Sequence, residues 1–279
     1  MDLINFILNI AALLLWLNWR AISFTAVAKP PGTSLLGTLK KAAPRGPKNW
    51  LSLVALAALL VFRALVYWHI GPSVGWMPSL ALKAISLTFR SDRSDRMLLF
   101  SLFSFGLTLA FYYCWLLLIS VVNRRVADAD MFLKLVRLQL GWLERWPTGL
   151  KLLLPFCLIT LIWFALAPLF NHLGFPPPTS RWEVWQKGMV LGLAIYFCWK
   201  YLIVGILLLH TVNSHVYLGA NPLWNFVEVT ARNLLTPIRW LPLCLGKVDF
   251  APIAGIALVF LADEYGSRAL TKLFQHLPL

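Results

Sequence analysis

Six long apolar runs dominate this sequence and restrict what the chain can fold into. They cover approximately residues 3–19, 50–69, 97–122, 150–170, 187–212 and 250–270. A helix needs about 20 mainly apolar residues to cross the hydrocarbon core of a bilayer. A segment surrounded by lipid must also satisfy its own backbone hydrogen bonds, which favours helices over other structures. The sequence therefore predicts an all-α membrane protein with about six transmembrane helices.

The composition agrees with a membrane location. Of the 279 residues, 59% are hydrophobic and only 13% are charged. A soluble domain usually has about twice that share of charged residues in its whole sequence. The formal net charge of +14 raises the possibility of nucleic-acid binding, but the basic residues are scattered through short loops and line no aromatic groove. We therefore expect the partners to include the lipid bilayer and its anionic headgroups, and not nucleic acid.

The distribution of Lys and Arg predicts an orientation in the membrane. The loops after the first, third and fifth spans hold 15 of these residues, whereas the termini and the other loops hold 8. Because positively charged loops stay in the cytoplasm, we expect the odd loops to be cytoplasmic and both termini to lie outside. Met1 to Trp16 has no basic start and no small-residue cleavage site, so we interpret it as a retained span and not a signal peptide.

A structural unit is repeated three times within a predicted single membrane domain, residues 1–279. The repeats cover about 1–70, 97–171 and 187–275. In each, a span ends at Asn, a polar-to-amphipathic stretch runs to a Pro, and another span returns. The Asn and Pro residues are Asn18 and Pro44, Asn123 and Pro147, and Asn213 and Pro237. The spacings are 26, 24 and 24 residues, although helical hairpins can resemble one another by chance.

The middle stretch, residues 128–146, has the period of an amphipathic helix. Its polar positions are Asp130, Lys134, Arg137, Gly141, Glu144 and Arg145, and a separate apolar face holds Met131, Leu135, Leu138, Trp142 and Trp146. This 3–4 spacing predicts one helix, capped by Asp128 or Asp130 and ended by Pro147. We expect such a segment in every repeat to lie along the cytoplasmic interface. The alternative is an ordinary solvated loop, and the first copy, residues 34–43, is the weakest because it is short and contains Gly37.

The third copy carries a sharper motif. Its marked positions are Asn221, Pro222, Pro237, Arg239, Pro242, Gly246, Asp249 and Pro252. This pattern resembles the YggT family of bacterial and plastid membrane proteins, whose repeat has an N/S-P start, then P-[IL]-R-R-x-[IL]-P, then G-G-[IV]-D-[FL]-[SA]-P. The resemblance covers residues 201–275. The chain departs from the pattern where Trp240 replaces the second Arg, where the second Pro comes one place early, and where Lys247 replaces a Gly.

The resemblance implies an integral protein of the bacterial inner membrane, associated with cell division, envelope organisation, cofactor assembly or osmotic and ion stress. Family members commonly hold two such repeats, whereas here only the third copy keeps the motif. The residues themselves suggest a helix stop and restart. Asn221 and Pro222 suit a helix start, Pro237 and Pro242 limit backbone hydrogen bonding, and Asp249 suits the positive end of the last span. A role for Asp249 in a binding site is the alternative.

No pattern in the sequence indicates catalysis, a cofactor or a metal. The cysteines Cys114, Cys157, Cys198 and Cys244 form no CxxC pair, and we find no paired carboxylates and no nucleophile beside a base. We therefore expect no enzyme activity, and a scaffold or assembly factor that binds a protein partner or lipid at its cytoplasmic face. The main alternative is a transporter or ion pathway, which would require ionisable groups that face one another inside the membrane.

Four charged residues fall inside the predicted spans: Arg63, Lys200, Asp263 and Glu264. The apolar part of the sixth span ends at Ala262, so that span crosses the membrane only if both acids enter it. A lone Lys in the middle of a span costs about 2.5–3.5 kcal/mol. We therefore predict that one of the acids pairs with Lys200 or Arg63. The alternative is that Arg63 extends outward to the interface and that the sixth span simply ends near Ala262.

Overall fold

Helices account for most of the chain in the computed structural model, which describes residues 2–27, 49–82, 85–126, 130–172, 181–216, 221–238, 244–245 and 248–276. The helices are α1 (Asp2–Val27), α2 (Asn49–Val74), α3 (Ser94–Val122), α4 (Met131–Leu140), α5 (Thr148–His172), α6 (Arg181–Ala194), α7 (Trp199–His215), α8 (Pro222–Leu234) and α9 (Ala251–His276). Strands β1 (Ser79–Leu82) and β2 (Ile85–Thr88) pair with each other, as do the two-residue strands β3 (Cys244–Leu245) and β4 (Val248–Asp249).

Five helical segments among the described residues are long and apolar enough to cross a membrane. They are Asp2–Ala21, Trp50–Val74, Ser94–Val122, Thr148–Pro168 and Trp182–Ser214. Each overlaps one of the first five predicted spans, so those five are confirmed as long apolar helices. This is the pattern of a multi-pass membrane protein.

Helix α9 is as long as α1 but does not belong to this set. Its first half is apolar, whereas its second half carries Asp263, Glu264, Arg268 and Lys272. The sixth span therefore stays a prediction that depends on where the polar half of α9 lies.

The chain divides into two compact units, and the division falls inside the continuous helix α3. Unit 1 consists of Met1–Leu80 with Leu87–Leu109, and unit 2 consists of Ala81–Ser86 with Ala110–Leu279. In unit 1, α1 packs along α2 as a helical hairpin, and the first part of α3 completes its core. The buried side chains of that core are Ala12, Leu56, Leu60 and Phe105.

In unit 2, helices α5 and α6 approach each other closely through small residues. Gly188 and Gly192 are four residues apart on α6, the spacing that brings backbones together in membrane helices. A methyl group on Gly192 would lie 2.7 Å from Thr160 Oγ1 and 2.8 Å from the Phe156 carbonyl oxygen of α5. In addition, the Thr160 hydroxyl donates a hydrogen bond of 3.1 Å to the Gly188 carbonyl. The packing of α5 on α6 therefore depends on these two glycines.

Helix α7 packs against both α8 and α9. Ile206 and Leu207 of α7 are buried against Val227 and Ala231 of α8 and against Leu235. The α-helix of the predicted fifth span is interrupted between α6 and α7, because residues Ile195–Cys198 form a 3-10 turn there. The predicted fifth span is therefore two helical segments joined by a tighter turn.

The predicted amphipathic helix is shorter than expected. Asp130 caps it as predicted, since its side chain accepts a hydrogen bond of 3.0 Å from the Phe132 amide. However, the α-helix ends at Leu140 because Gly141 adopts a left-handed φ of 57°, and Gly141–Arg145 is a 3-10 turn. The expectation that Pro147 ends the α-helix was therefore wrong, because glycine is the residue that most readily adopts positive φ.

Candidate functional site

An ion pair joins helices α7 and α9 in unit 2. Lys200 Nζ lies 2.7 Å from Asp263 Oδ2, although the two residues are 63 positions apart in the chain. Their side chains are only 19% and 12% exposed. This is one of the pairings of Lys200 or Arg63 with an acid of α9 that the sequence predicted, and it offsets part of the cost of an isolated cation in an apolar span.

Small residues on α9 allow this close approach. A methyl group on Gly255 would lie 2.9–3.0 Å from Leu235 and Leu207, and one on Gly266 would lie 3.1–3.2 Å from the ring of Phe197. The two glycines are eleven residues apart, or about three helical turns, so they lie on the same face of α9 as Asp263. This face brings Asp263 within hydrogen-bonding distance of Lys200.

The pair lines an apolar groove between the α6–α7 segment and α9. The groove has a volume of about 500 Å³, which is within the range of small-molecule sites. Aliphatic side chains line most of it, namely Leu193, Ile203, Val259, Leu270 and Leu273, and aromatic side chains come from Tyr196, Phe197 and Trp199. Lys200 and Asp263 are the only charged residues among those that line it. The groove therefore offers a ligand one polar site, the Lys200–Asp263 pair, among apolar side chains.

The ammonium group of Lys200 has few other neighbours to stabilise it. Its Nζ lies 5.2 Å from the ring centroid of Phe260 and 5.4 Å from that of Tyr201, distances typical of cation–π contacts. Within the described part of the chain, Asp263 is the one residue that accepts a hydrogen bond from it. Because an ammonium has three N–H donors, two remain for another acceptor.

Glu264 takes no part in this pair. Its carboxylate accepts a hydrogen bond of 2.7 Å from Arg268 Nε, and the two side chains are 57% and 68% exposed. The sequence could not distinguish the two neighbouring acids. The structure shows that only Asp263 is on the α7 side of α9.

In unit 1, Arg63 is enclosed by neutral groups. It is 1% exposed, so the alternative in which it extends outward to the interface was wrong. Its Nη1 donates to Asn9 Oδ1 at 2.5 Å, its Nε donates to the Ser101 hydroxyl at 3.0 Å, and its Nη2 donates to the Ser101 carbonyl. No acid within the described residues bonds to it. Arg63 therefore joins α1, α2 and α3 through hydrogen bonds alone.

Those motif residues of the third copy that the structure places within helical segments lie at helix ends. Asn221 caps α8 by accepting a hydrogen bond from the Leu223 amide, and Pro222 is the first helical residue, as predicted. Pro237 lies in the 3-10 turn Thr236–Ile238 that follows α8, and Pro252 lies in the first turn of α9. These placements show an interrupted helix, which is what the motif predicted.

The other motif residues are described only in part. Arg239, Pro242 and Gly246 lie outside the described residues. Strands β3 and β4 flank residues 246–247, and their backbones pair antiparallel, with Cys244 opposite Asp249. Phe250, not Asp249, occupies the N-cap position of α9, since its carbonyl accepts a hydrogen bond from the Ala254 amide. The side chain of Asp249 is outside the described set, so its predicted contact with α9 stays a prediction.

The two amphipathic helices α4 and α8 pack against each other, and we call this pair the interfacial platform. Asn123, at the end of α3, is buried and donates to Thr230 Oγ1 at 3.1 Å, while it accepts from Asn233 Nδ2 at 2.8 Å. The rings of Phe132 and Phe226 lie 5.6 Å apart between the helices. The platform is therefore fixed to the end of α3.

The apolar face of α4 that the sequence identified points away from the core. Leu133, Val136 and Leu140 pack inward instead, against α3. The side chains on the outward stripe are large and 49–68% exposed: Met131, Leu135, Leu138 and Trp142. Exposed basic residues lie on α4 and in the chain segments before and after it, namely Arg124, Arg125, Lys134 and Arg145. An outward apolar stripe with basic neighbours is typical of a helix that lies in a membrane interface.

Two contacts in unit 2 were missed by the sequence analysis. Trp115 Nε1 donates to the Cys198 carbonyl at 2.8 Å, and Trp199 Nε1 donates to the Cys114 carbonyl at 3.1 Å. The Cys-Trp dipeptide that occurs at both places was the available signal. These reciprocal hydrogen bonds hold α3 against the 3-10 turn before α7.

A buried polar cluster at the start of α5 was also missed. Lys151 Nζ lies 3.0 Å from Glu144 Oε2 and donates to the Ser120 hydroxyl at 2.9 Å.

Comparison with family models, with curated proteins and with solved structures finds no match to this chain. The functional argument therefore rests on the geometry of the platform and of the groove.

Proposed function

We propose that this chain is a non-enzymatic scaffold or assembly factor of the bacterial inner membrane, and that its interfacial platform recruits a protein partner at an anionic membrane surface. In this proposal the chain has six spans, the termini lie outside, and the platform faces the cytoplasm. The resemblance of residues 201–275 to the YggT family supports a role in envelope organisation or cofactor assembly.

The observation that carries the proposal is the outward stripe of α4. Four large apolar side chains that no other part of the described chain covers are costly in water. Insertion of the stripe into the headgroup region removes them from water, while nearby basic residues reach lipid phosphates, each contributing about 1 kcal/mol. The platform is then held at the surface, where the outer side of α8 is available to a partner.

The contacts of Arg63 in unit 1 also favour a scaffold. Arg63 is fully enclosed, and its bonded partners are neutral. A transport path needs several ionisable groups that succeed one another across the membrane. Arg63 instead behaves as a fixed structural contact.

The experiment is affinity capture of the full-length protein in mild detergent and in anionic nanodiscs. The test variant Leu135→Asp with Leu138→Asp alters the stripe, and the control, Met77→Asp, alters an exposed apolar side chain outside the spans and the platform and should leave capture unchanged. We expect the first variant to fold in detergent but to lose its captured partner and its preference for anionic lipid. Retention of the same partner by the stripe variant would contradict the proposal.

A transporter or ion pathway is the second candidate, and the Lys200–Asp263 pair favours it because the pair is accessible from the groove. Ion or substrate flux into proteoliposomes separates the two functions. A flux that disappears when Lys200→Met and Asp263→Leu are combined, while partner capture is unchanged, would support transport over scaffolding.

A further inference from the structure

The groove between the α6–α7 segment and α9 contains a charged pair near the middle of a long apolar helical segment. Lys200 lies near the middle of the 33-residue segment Trp182–Ser214. The phosphate groups of membrane lipids lie at the interface, roughly 15 Å from the centre of a hydrocarbon core about 30 Å thick. When the segment is centred in the bilayer, as its apolar length favours, a phospholipid headgroup does not reach Lys200, whereas an acyl chain fits the groove.

The charge of the site restricts what can bind there. The ammonium of Lys200 and the carboxylate of Asp263 neutralise each other. An anionic or cationic ligand would add an uncompensated charge in surroundings of low dielectric constant, which is strongly unfavourable. The site therefore favours an uncharged headgroup that accepts hydrogen bonds.

The lining of the groove indicates the shape of that headgroup. Lys200 retains two N–H donors that bond to no acceptor among the described residues. Tyr196, Phe197 and Trp199 contribute aromatic side chains to the lining of the same groove, and flat rings stack well on aromatic side chains. The Tyr196 ring is held in place because its hydroxyl donates to the Leu152 carbonyl. The rest of the groove is aliphatic and suits a hydrocarbon tail.

We propose that this groove binds a lipid-soluble quinone. A ring carbonyl of the quinone accepts a hydrogen bond from Lys200, its ring lies against the aromatic side chains, and its isoprenoid tail follows the aliphatic part of the groove into the bilayer. A quinone is an uncharged membrane lipid with a flat carbonyl-bearing ring, so its polar group is able to reside at this depth. The inference is independent of the scaffold function.

The test is photolabelling of the full-length protein in nanodiscs with an azidoquinone, followed by peptide mapping. We expect label on peptides from α7 and α9, competed by decylubiquinone but not by dodecanol, which has a tail and no carbonyl ring. Equal competition by dodecanol would overturn the proposal, because it would show that the groove accepts hydrocarbon only.

Variants test the assigned contacts. The double variant Lys200→Met, Asp263→Leu should weaken quinone competition at least tenfold, whereas Glu264→Leu with Arg268→Met, on the exposed pair, should leave it unchanged. A second variant, Ala269→Phe, fills the groove without altering the ion pair and should also abolish labelling. Normal labelling of a folded Ala269→Phe protein, or unchanged affinity of the double variant, would refute the site.

Discussion

Lys200 and Asp263 form an ion pair in which Nζ and Oδ2 are 2.7 Å apart, and both side chains are less than one-fifth exposed. Each side chain depends on the other to compensate its charge. Removal of one partner leaves a charge in apolar surroundings, which typically costs about 3–5 kcal/mol, whereas removal of both leaves none.

We therefore predict strong non-additivity in a double-mutant cycle. Lys200→Met and Asp263→Leu should each destabilise the protein, and the double variant should be more stable than the sum implies by about 2 kcal/mol or more. Reversible unfolding in mixed micelles measures this. The exposed Arg232–Glu228 pair of α8, which lies outside the predicted spans, is the control and should show coupling of no more than about 0.5 kcal/mol. Additivity at Lys200 and Asp263 would mean that the pair contributes nothing to stability.

The second prediction concerns Arg63. Ser101→Ala removes the hydroxyl that accepts from Arg63 Nε and donates to the Leu60 carbonyl at 2.8 Å. Loss of a buried partner costs about 1–3 kcal/mol, so the midpoint of thermal unfolding should fall by several degrees. Ser73→Ala, on an exposed serine of α2, is the matched control and should change stability by less than about 0.5 kcal/mol. Equal effects of the two substitutions would contradict this account of Arg63.

The third prediction compares alanine substitutions at two helical glycines, one in a close helix–helix contact and one that faces open space. Gly192→Ala places a methyl group 2.7–2.9 Å from Thr160 and Phe156, so α5 and α6 must move apart, and overpacking of this kind costs about 1–3 kcal/mol. Gly205→Ala meets open space and should stabilise α7 by up to about 1 kcal/mol. Thermal unfolding of both variants is the measurement, and a stabilised Gly192→Ala protein would show that the α5–α6 contact is wrong.

The fourth prediction tests how the platform is attached. Asn123→Ala removes the hydrogen bonds to Thr230 and Asn233, and we expect faster hydrogen exchange throughout α8 with little change in α5. Asn225→Ala, which breaks only the long, partly buried contact of 3.4 Å to Asp130, is the control. Unchanged exchange in the Asn123→Ala protein would show that α8 is held by other contacts.

The sequence predicted features that follow from long apolar runs and from the free-energy cost of placing a charge inside a membrane span. The first five spans were recognisable because long apolar runs have few alternatives. A pair between an acid of α9 and Lys200 or Arg63 was predictable because a charge inside a span is rare and expensive, but the sequence did not show which acid or which cation takes part. By contrast, the partners of Arg63 were not, since Asn9 and Ser101 are neutral and polar residues of this type occur in many helices.

Features that depend on packing in three dimensions were not predictable. Helix α4 is apolar on more than one side, so periodicity identified the Leu135 stripe but not the inward face that holds Leu133 and Val136. The stop at Gly141 depends on a backbone conformation that the sequence permits without requiring it. The groove could not be predicted either, because it arises from the way α9 packs beside Phe197 and Trp199.

The most direct test of the central claim is the depth of the platform in a bilayer. Nitroxide labels at Leu135 and Leu138 in an otherwise cysteine-free protein, reconstituted in anionic liposomes, report their access to oxygen and to a water-soluble nickel complex. Labels at the exposed neighbours Lys134 and Arg145 serve as controls. The account predicts that the leucine positions are oxygen-accessible and lie several ångströms below the phosphates, while the control positions contact the nickel complex. Free access of the nickel complex to Leu135 and Leu138, equal to that at Lys134, would contradict it.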